Sequence, residues 1–296
     1  MKRTAVILGI LTLAVWAAAQ TSTQGTQQTT PAAGTPTQAT GTTPAAAPTG
    51  KRPPQTKTQP EFDAWKAASA ITDAPGMEKA ADDFATKFPD SEVRGLLYKN
   101  AMRMYQSANN AEKTEAMGRK LLAIDGDDPE ALTTVAEVIA ERTRDTDLDR
   151  DQKFDEAIKM AQKATQTVDT DISVPAGTPQ EKIDMYKAFL RSSAYSIIGT
   201  IEFKKDNYTG AQEDLQKSID ALPSNPDPVV VLRLALVLDK QGKYPEALKV
   251  ANHAVELTQD NTPIGTPARR ERDRLQQLAG GTAPAPATPQ SQPPKN

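Results

Sequence analysis

The sequence predicts an all-α protein, an α-solenoid of about five stacked helical hairpins, and two observations carry this prediction. Apolar residues recur at helical spacing from residue 61 to about residue 278, without the alternation typical of strands. Clusters of Asp, Pro, Gly and Ser, which are typical of turns, interrupt this spacing at residues 73–76, 89–91, 125–129 and 224–228. Short helices separated in this way cannot each bury an apolar face alone, so we expect them to stack.

The turn clusters divide the region into five hairpins and one closing helix. Several clusters place an Asp or Ser just before the next apolar run, where its side chain can cap the helix. The predicted hairpins pair residues 61–72 with 76–88, 91–108 with 110–124, 129–142 with 152–168, 180–204 with 207–221, and 228–241 with 244–259, and the closing helix spans about 266–279.

The hairpins also resemble one another in sequence. Tyr208 is followed three residues later by Ala211, and the same pair recurs 36 residues further on as Tyr244 and Ala247. Phe154, upstream, is likewise followed by an alanine at the third position. A small residue early in the second helix lets the first helix cross closely, while the aromatic ring fills the turn. This repetition indicates one structural unit used several times.

At this point the sequence resembles the tetratricopeptide repeat (TPR) family, whose pattern is W-x2-L-G-x2-Y, then A-x3-F, then P. The matching residues of the fourth hairpin are Tyr195, Ile198, Gly199, Ala211, Leu215 and Pro223, with Glu202 in place of the second aromatic residue. The resemblance is good from about 129 to 260 and weaker from 61 to 128. The opening hairpins look like the degenerate repeats found in bacterial envelope proteins, so the chain resembles an exported, envelope-type member of this family.

The resemblance implies that a protein or peptide partner binds the concave face, which the first helix of each hairpin lines. The residues that the family's geometry places there are Ser196, Thr200 and Phe203 in the fourth hairpin, and Leu232, Leu236 and Asp239 in the fifth. Relatives that clamp a terminal carboxylate use Lys and Asn at such positions, so this groove is expected to be mildly apolar instead. The alternative is that Phe203, Leu232 and Leu236 simply pack between helices.

Both ends of the chain differ from this repeat region. The N-terminal stretch, about residues 1–20, predicts a signal peptide, with Lys2 and Arg3 before a short apolar run and three alanines that end at Ala19, so Gln20 is the expected new N-terminus. Residues 21–60, rich in Thr, Gln, Pro and Ala, and the Pro-rich tail at 280–296 are expected to be disordered, since they offer little apolar surface to bury. The chain contains no cysteine, which excludes disulfides and a lipidated cysteine.

The chain is poorly supplied with catalytic groups. It has one histidine, His253, and no P-loop, dinucleotide-binding or metalloprotease motif. Asp145 to Glu156 has the acidic spacing of a calcium-binding EF-hand loop, but Arg150 stands where that loop needs glycine. A solvated loop between helices is therefore favoured over a calcium site. We expect no enzyme activity, no cofactor and no metal.

The sequence thus predicts a non-catalytic protein–protein interaction scaffold of the bacterial periplasm or cell envelope. The alternative function is a structural spacer or a self-assembling envelope component. A net charge of −3 without a basic block gives no indication of nucleic acid binding. The protein is expected to be exported to the periplasm or secreted, and to contact the membrane only if the N-terminal segment is retained as an anchor.

Overall fold

The computed structural model describes residues 51–175 and 177–280. Within them the chain forms eleven α-helices and no strand, which confirms the all-α prediction. The helices are α1 (Gln59–Ser69), α2 (Ala74–Lys87), α3 (Arg94–Ser107), α4 (Ala111–Ile124), α5 (Pro129–Arg142), α6 (Arg150–Thr167), α7 (Gln180–Lys204), α8 (Tyr208–Ala221), α9 (Pro228–Lys240), α10 (Tyr244–Glu256) and α11 (Gly265–Ala279).

The predicted signal peptide at residues 1–20, the linker up to residue 50 and the tail from residue 281 lie outside the described residues. None of the helices in the described part of the chain combines the length and the apolar character that a bilayer crossing demands.

The last residues of the predicted linker, 51–60, contact the helical body. Lys51 Nζ lies 2.7 Å from a carboxylate oxygen of Asp125, and Arg52 Nη2 lies 2.8 Å from Glu92. Thr58 caps α1, because its side chain accepts a hydrogen bond from the backbone nitrogen of Glu61. The folded region therefore begins upstream of residue 61, in a stretch whose composition alone resembled a spacer.

Helix starts follow the capping residues that the sequence provides. The side chain of Asp128 accepts a hydrogen bond of 2.9 Å from the backbone nitrogen of Ala131 at the start of α5. Asp73, Asn110, Asn207 and Asp227 cap α2, α4, α8 and α9 in the same manner. Each cap satisfies a backbone N–H that the helix itself leaves unpaired.

Three hairpins share one turn between their two helices. A residue with positive φ follows the first helix: Asn109 at 55° after α3, Asp206 at 56° after α7 and Gly242 at 72° after α9. Asn, Asp and Gly are the residues that adopt this left-handed conformation most readily. The α5–α6 hairpin departs from this pattern, because residues 143–149 form a longer loop there.

Small residues on the second helices let each hairpin close tightly. Ala81 on α2, Ala157 on α6, Ala211 on α8 and Ala247 on α10 are all fully buried. Apolar clusters then join each hairpin to the next; one unites side chains of α5, α6 and α7, and another unites those of α8 to α11. These shared cores confirm that the hairpins stack.

Helices α7 and α8 cross closely at Gly199. A methyl group there would lie 2.9 Å from the backbone nitrogen of Leu215, closer than such atoms normally approach. Ala211, the small residue of the repeated turn pattern, lies on the same pair of helices and is fully buried. The backbone nitrogen cannot move aside as the end of a flexible side chain could.

We predict that Gly199→Ala destabilises the protein by about 1–3 kcal/mol through overpacking. Helix propensity alone would favour alanine by about 1 kcal/mol, so the two effects differ in sign. Urea unfolding followed by circular dichroism measures the result. Glu213→Ala, at an exposed position of α8, serves as the control and should change little. A stabilised Gly199→Ala variant would contradict the close crossing.

Candidate partner-binding face

The first helices of successive hairpins lie beside one another and are joined by polar side chains. Lys204 Nζ of α7 donates a hydrogen bond of 2.6 Å to the backbone oxygen of Ala140 in α5. Arg233 of α9 donates one of 2.7 Å to Thr200 Oγ1 of α7. These bonds define one continuous surface made by α5, α7 and α9, which we call the first-helix face.

Three of the residues predicted for partner binding are accessible on this face. Thr200 is partly exposed and donates a hydrogen bond of 2.6 Å to the backbone oxygen of Ser196, one turn earlier. Ser196 and Leu236 are also partly exposed. The first-helix face therefore carries the small polar side chains of Ser196 and Thr200 on α7 and the aliphatic side chain of Leu236 on the neighbouring helix α9.

The other three predicted residues are engaged in packing or pairing. Leu232 is only 8% exposed and belongs to an apolar cluster with Ala254 and Ala268. It therefore lies in the core, which corrects the prediction that it lines an open groove. Phe203 is partly buried, and its ring centre lies 5.9 Å from that of Tyr208. Asp239 forms an ion pair of 2.5 Å with Arg274 of α11.

The acidic run between α5 and α6 pairs with neighbouring cations. Asp149 lies 2.9 Å from Lys153, and Glu156 lies 2.7 Å from Arg119. In the two described ranges, no group of three or more His, Asp or Glu side chains is placed to hold a metal ion. The arrangement is that of a charged surface loop. His253, the single histidine, lies on α10 with Nδ1 3.5 Å from Glu256.

The structure also contains a buried ionic network that the sequence did not reveal. Glu130, in the first turn of α5, has a side chain only 13% exposed. Arg103 of α3 donates to both of its carboxylate oxygens, at 2.5 Å and 2.6 Å, and the hydroxyl of Tyr186 of α7 donates a third bond of 2.5 Å. Lys99 of α3 bridges the same carboxylate and that of Asp128. One carboxylate therefore ties three first helices together.

The surroundings of Glu130 control its ionisation. Burial by itself would raise the pKa of this carboxyl group, but the charges of Arg103 and Lys99 and the hydrogen bonds from Arg103 and Tyr186 outweigh it. The resulting pKa is about 2. In the sequence, Glu130 looks like an ordinary acidic residue at a helix start, and only the packing of α3 and α7 against it distinguishes it.

No protein-family model matches this chain, and no curated protein sequence matches it either. Solved structures do resemble it. YrrB, described as a TPR protein with an unusual peptide-binding site, is 17% identical over 69% of this chain and 87% of its own, with a TM-score of 0.45. TTC0263, a thermophilic TPR protein of Thermus thermophilus, is 11% identical over 74% and 98%, with a TM-score of 0.42.

A third structure, pilF of Pseudomonas aeruginosa, is 16% identical over 76% of this chain and 90% of its own, with a TM-score of 0.50. At these identities the likeness concerns the fold alone. The fold of pilF, which this chain matches over 90% of that protein's length, is therefore similar to this arrangement of helices.

We predict that the Glu130 network makes the free energy of unfolding depend on pH in the acidic range. Because the folded pKa lies below the ordinary value of 4.5, the network stabilises the protein above that pH, and this stabilisation is lost as pH falls from about 4.5 to about 2. The difference is on the order of 3 kcal/mol. In Glu130→Gln, the unfolding free energy at neutral pH should fall by about 3–5 kcal/mol, and the loss of stability between pH 4.5 and pH 2 should shrink.

Asp83→Asn provides the control for this experiment. Asp83 pairs with Lys79 at 2.6 Å on an exposed helix surface, where an ion pair contributes about 0.5 kcal/mol or less. Denaturant unfolding measured across the pH range compares the two variants. Equal effects of both substitutions would contradict the role assigned to the buried network.

Proposed function

We propose that this chain is a non-catalytic scaffold of the bacterial periplasm or cell envelope that binds a protein or peptide partner on the first-helix face. The observation that supports the proposal is the side-by-side placement of α5, α7 and α9, with Ser196, Thr200 and Leu236 accessible on them. Bonds between the helices hold this surface in one geometry, and a rigid surface loses little entropy when a partner binds.

The export part of the proposal rests on the sequence of residues 1–20, in which a charged start, a short apolar run and three alanines follow one another. The absence of cysteine is compatible with an oxidising compartment. Mass spectrometry of the protein isolated from its host should find Gln20 at the N-terminus. A mature protein that retains Met1 would favour the membrane-anchored alternative.

The spacer or self-assembling alternative has less support. The closing helix α11 buries Ala268 and Leu275 against the last hairpin. Its outer side presents Arg270, Asp273 and Gln277 to solvent. A polar outer face on a capping helix keeps stacked-repeat proteins soluble, and such a face on α11 gives no support to stacking of a second copy on this helix.

Site-specific photo-crosslinking in the host tests the binding face. A photoreactive amino acid at Ser196 or Leu236 should capture a discrete partner, because both side chains are accessible on the first-helix face. The same amino acid at Lys159, which is exposed on the second helix α6, is the matched control and should not capture that partner. Capture that is equal at all three positions, or absent at Ser196 and Leu236, would exclude partner binding on this face.

A further inference from the structure

We propose that a basic depression with an aromatic wall, at the C-terminal ends of α7 and α9, binds an acidic segment of the partner protein. This inference rests on the proposed function and specifies the charge of the partner segment that binds. The depression has a volume of about 540 Å³. Arg150, Lys204 and Lys240 supply its cations, and Phe203 and Tyr208 supply its aromatic side. We call it the basic depression.

Acidic side chains compensate one of the three cations of the depression, Arg150. Asp206 accepts a hydrogen bond of 2.6 Å from the hydroxyl of Tyr208. Asp145 is 86% exposed and lies 3.4 Å from Arg150 Nε. Lys240 is exposed and makes no ion pair within residues 51–175 and 177–280. Arg150 is thus paired with Asp145 and also with Asp151, 3.6 Å away on its own helix, which leaves the charges of Lys204 and Lys240 for a ligand.

Lys204 occupies the most constrained position of the three cations. Its amino group donates to the backbone oxygen of Ala140 and lies 5.4 Å from the centre of the Phe154 ring, and the N–H groups that do not donate to Ala140 are the ones that a ligand could use. Burial lowers its pKa, and the nearby charges of Arg233 and Arg150 lower it further, whereas Asp145 and Glu141 only partly oppose this effect. A carboxylate brought beside Lys204 would stabilise its charged form.

The aromatic side favours a peptide over a small free anion. The rings of Phe203 and Tyr208 stand 5.9 Å apart between their centres at an angle of 54°, and Phe203 is partly exposed. An apolar side chain of a bound segment can cover this surface while neighbouring carboxylates reach Lys204 and Lys240. Phe203 lies one turn beyond Thr200 on α7, so such a segment would continue onto the first-helix face.

The loop that borders the depression is the one that departs from the common turn. Residues 143–149 connect α5 to α6 where the other hairpins from α3 onward use a short turn, and Asp145 lies on this loop. Insertions in repeat proteins map to loops on one face, which is often the binding face. The additional residues of the 143–149 loop thus lie beside the cations of the basic depression.

Binding of defined peptides to the full chain tests the inference. The probe is a fluorescently labelled peptide of alternating Glu and Leu; the comparison peptides carry Gln or Lys in place of every Glu, and a single-stranded oligonucleotide of similar length is a fourth probe. We expect the Glu peptide to bind about tenfold or more tightly than the Gln peptide, and to weaken between about 0.05 M and 0.3 M salt.

Variants locate the site. Lys240→Glu should weaken the Glu peptide by about tenfold or more, while Lys159→Glu, the same charge reversal on the exposed surface of α6, should leave it unchanged. Phe203→Ala should weaken the Glu and Gln peptides alike, because it removes apolar contact rather than charge. Circular dichroism of each variant confirms that the fold is intact, and Lys240 is suitable because its side chain forms no ion pair in the described part of the chain.

The outcomes separate this inference from the proposed function. Equal binding of the Glu and Gln peptides, or stronger binding of the oligonucleotide, overturns the acidic-segment inference. If photo-crosslinking at Ser196 and Leu236 still captures the partner in that case, the scaffold function stands. An unchanged affinity in Lys240→Glu likewise overturns the inference, because the charge would then act elsewhere on the chain.

Discussion

The inability of a single hairpin to bury its own apolar side is the constraint from which the rest of this structure follows. Each of the two short helices has one apolar stripe, and the stripes are buried only when the next hairpin packs against them. Gly199 and the buried alanines of the second helices bring the backbones close enough for this contact. Stacking then sets the first helices beside one another, so a continuous surface is a consequence of the core rather than a separate feature.

Polar contacts fix how the hairpins are registered within that stack. Apolar contacts are tolerant of sliding, whereas the Glu130 network requires α3, α5 and α7 to meet at one point. Further along, Arg233 and Thr200 join α7 to α9, and Arg274 and Asp239 join α9 to α11. A buried ion pair contributes less to net stability than its contacts suggest, but losing one partner leaves an uncompensated charge. Such pairs therefore destabilise any arrangement in which the hairpins stack in a different register.

The sequence predicted the helices well because their signals are local. Turn residues and caps such as Asp128 and Asn207 act on the next three or four positions, so spacing alone locates the helix starts within a few residues. The accessible side of a helix depends instead on its neighbours. Leu232 and Leu236 lie one turn apart and look alike in the sequence, yet α10 and α11 cover only Leu232. The Glu130 network escaped prediction for the same reason, since its members come from three helices.

The cations of the basic depression differ in whether their side chains bond to the rest of the fold. Arg150 donates to the backbone oxygen of Lys204, and Lys204 donates to that of Ala140, so both satisfy carbonyl groups close to helix C-termini, where positive charge is favourable. Lys240 also ends a helix, α9, where its charge is favourable, but it forms no ion pair within the described residues. Replacing Lys240 therefore removes one of the three cations without breaking a hydrogen bond or ion pair of the described residues. This separation allows its role in binding to be distinguished from a role in stability.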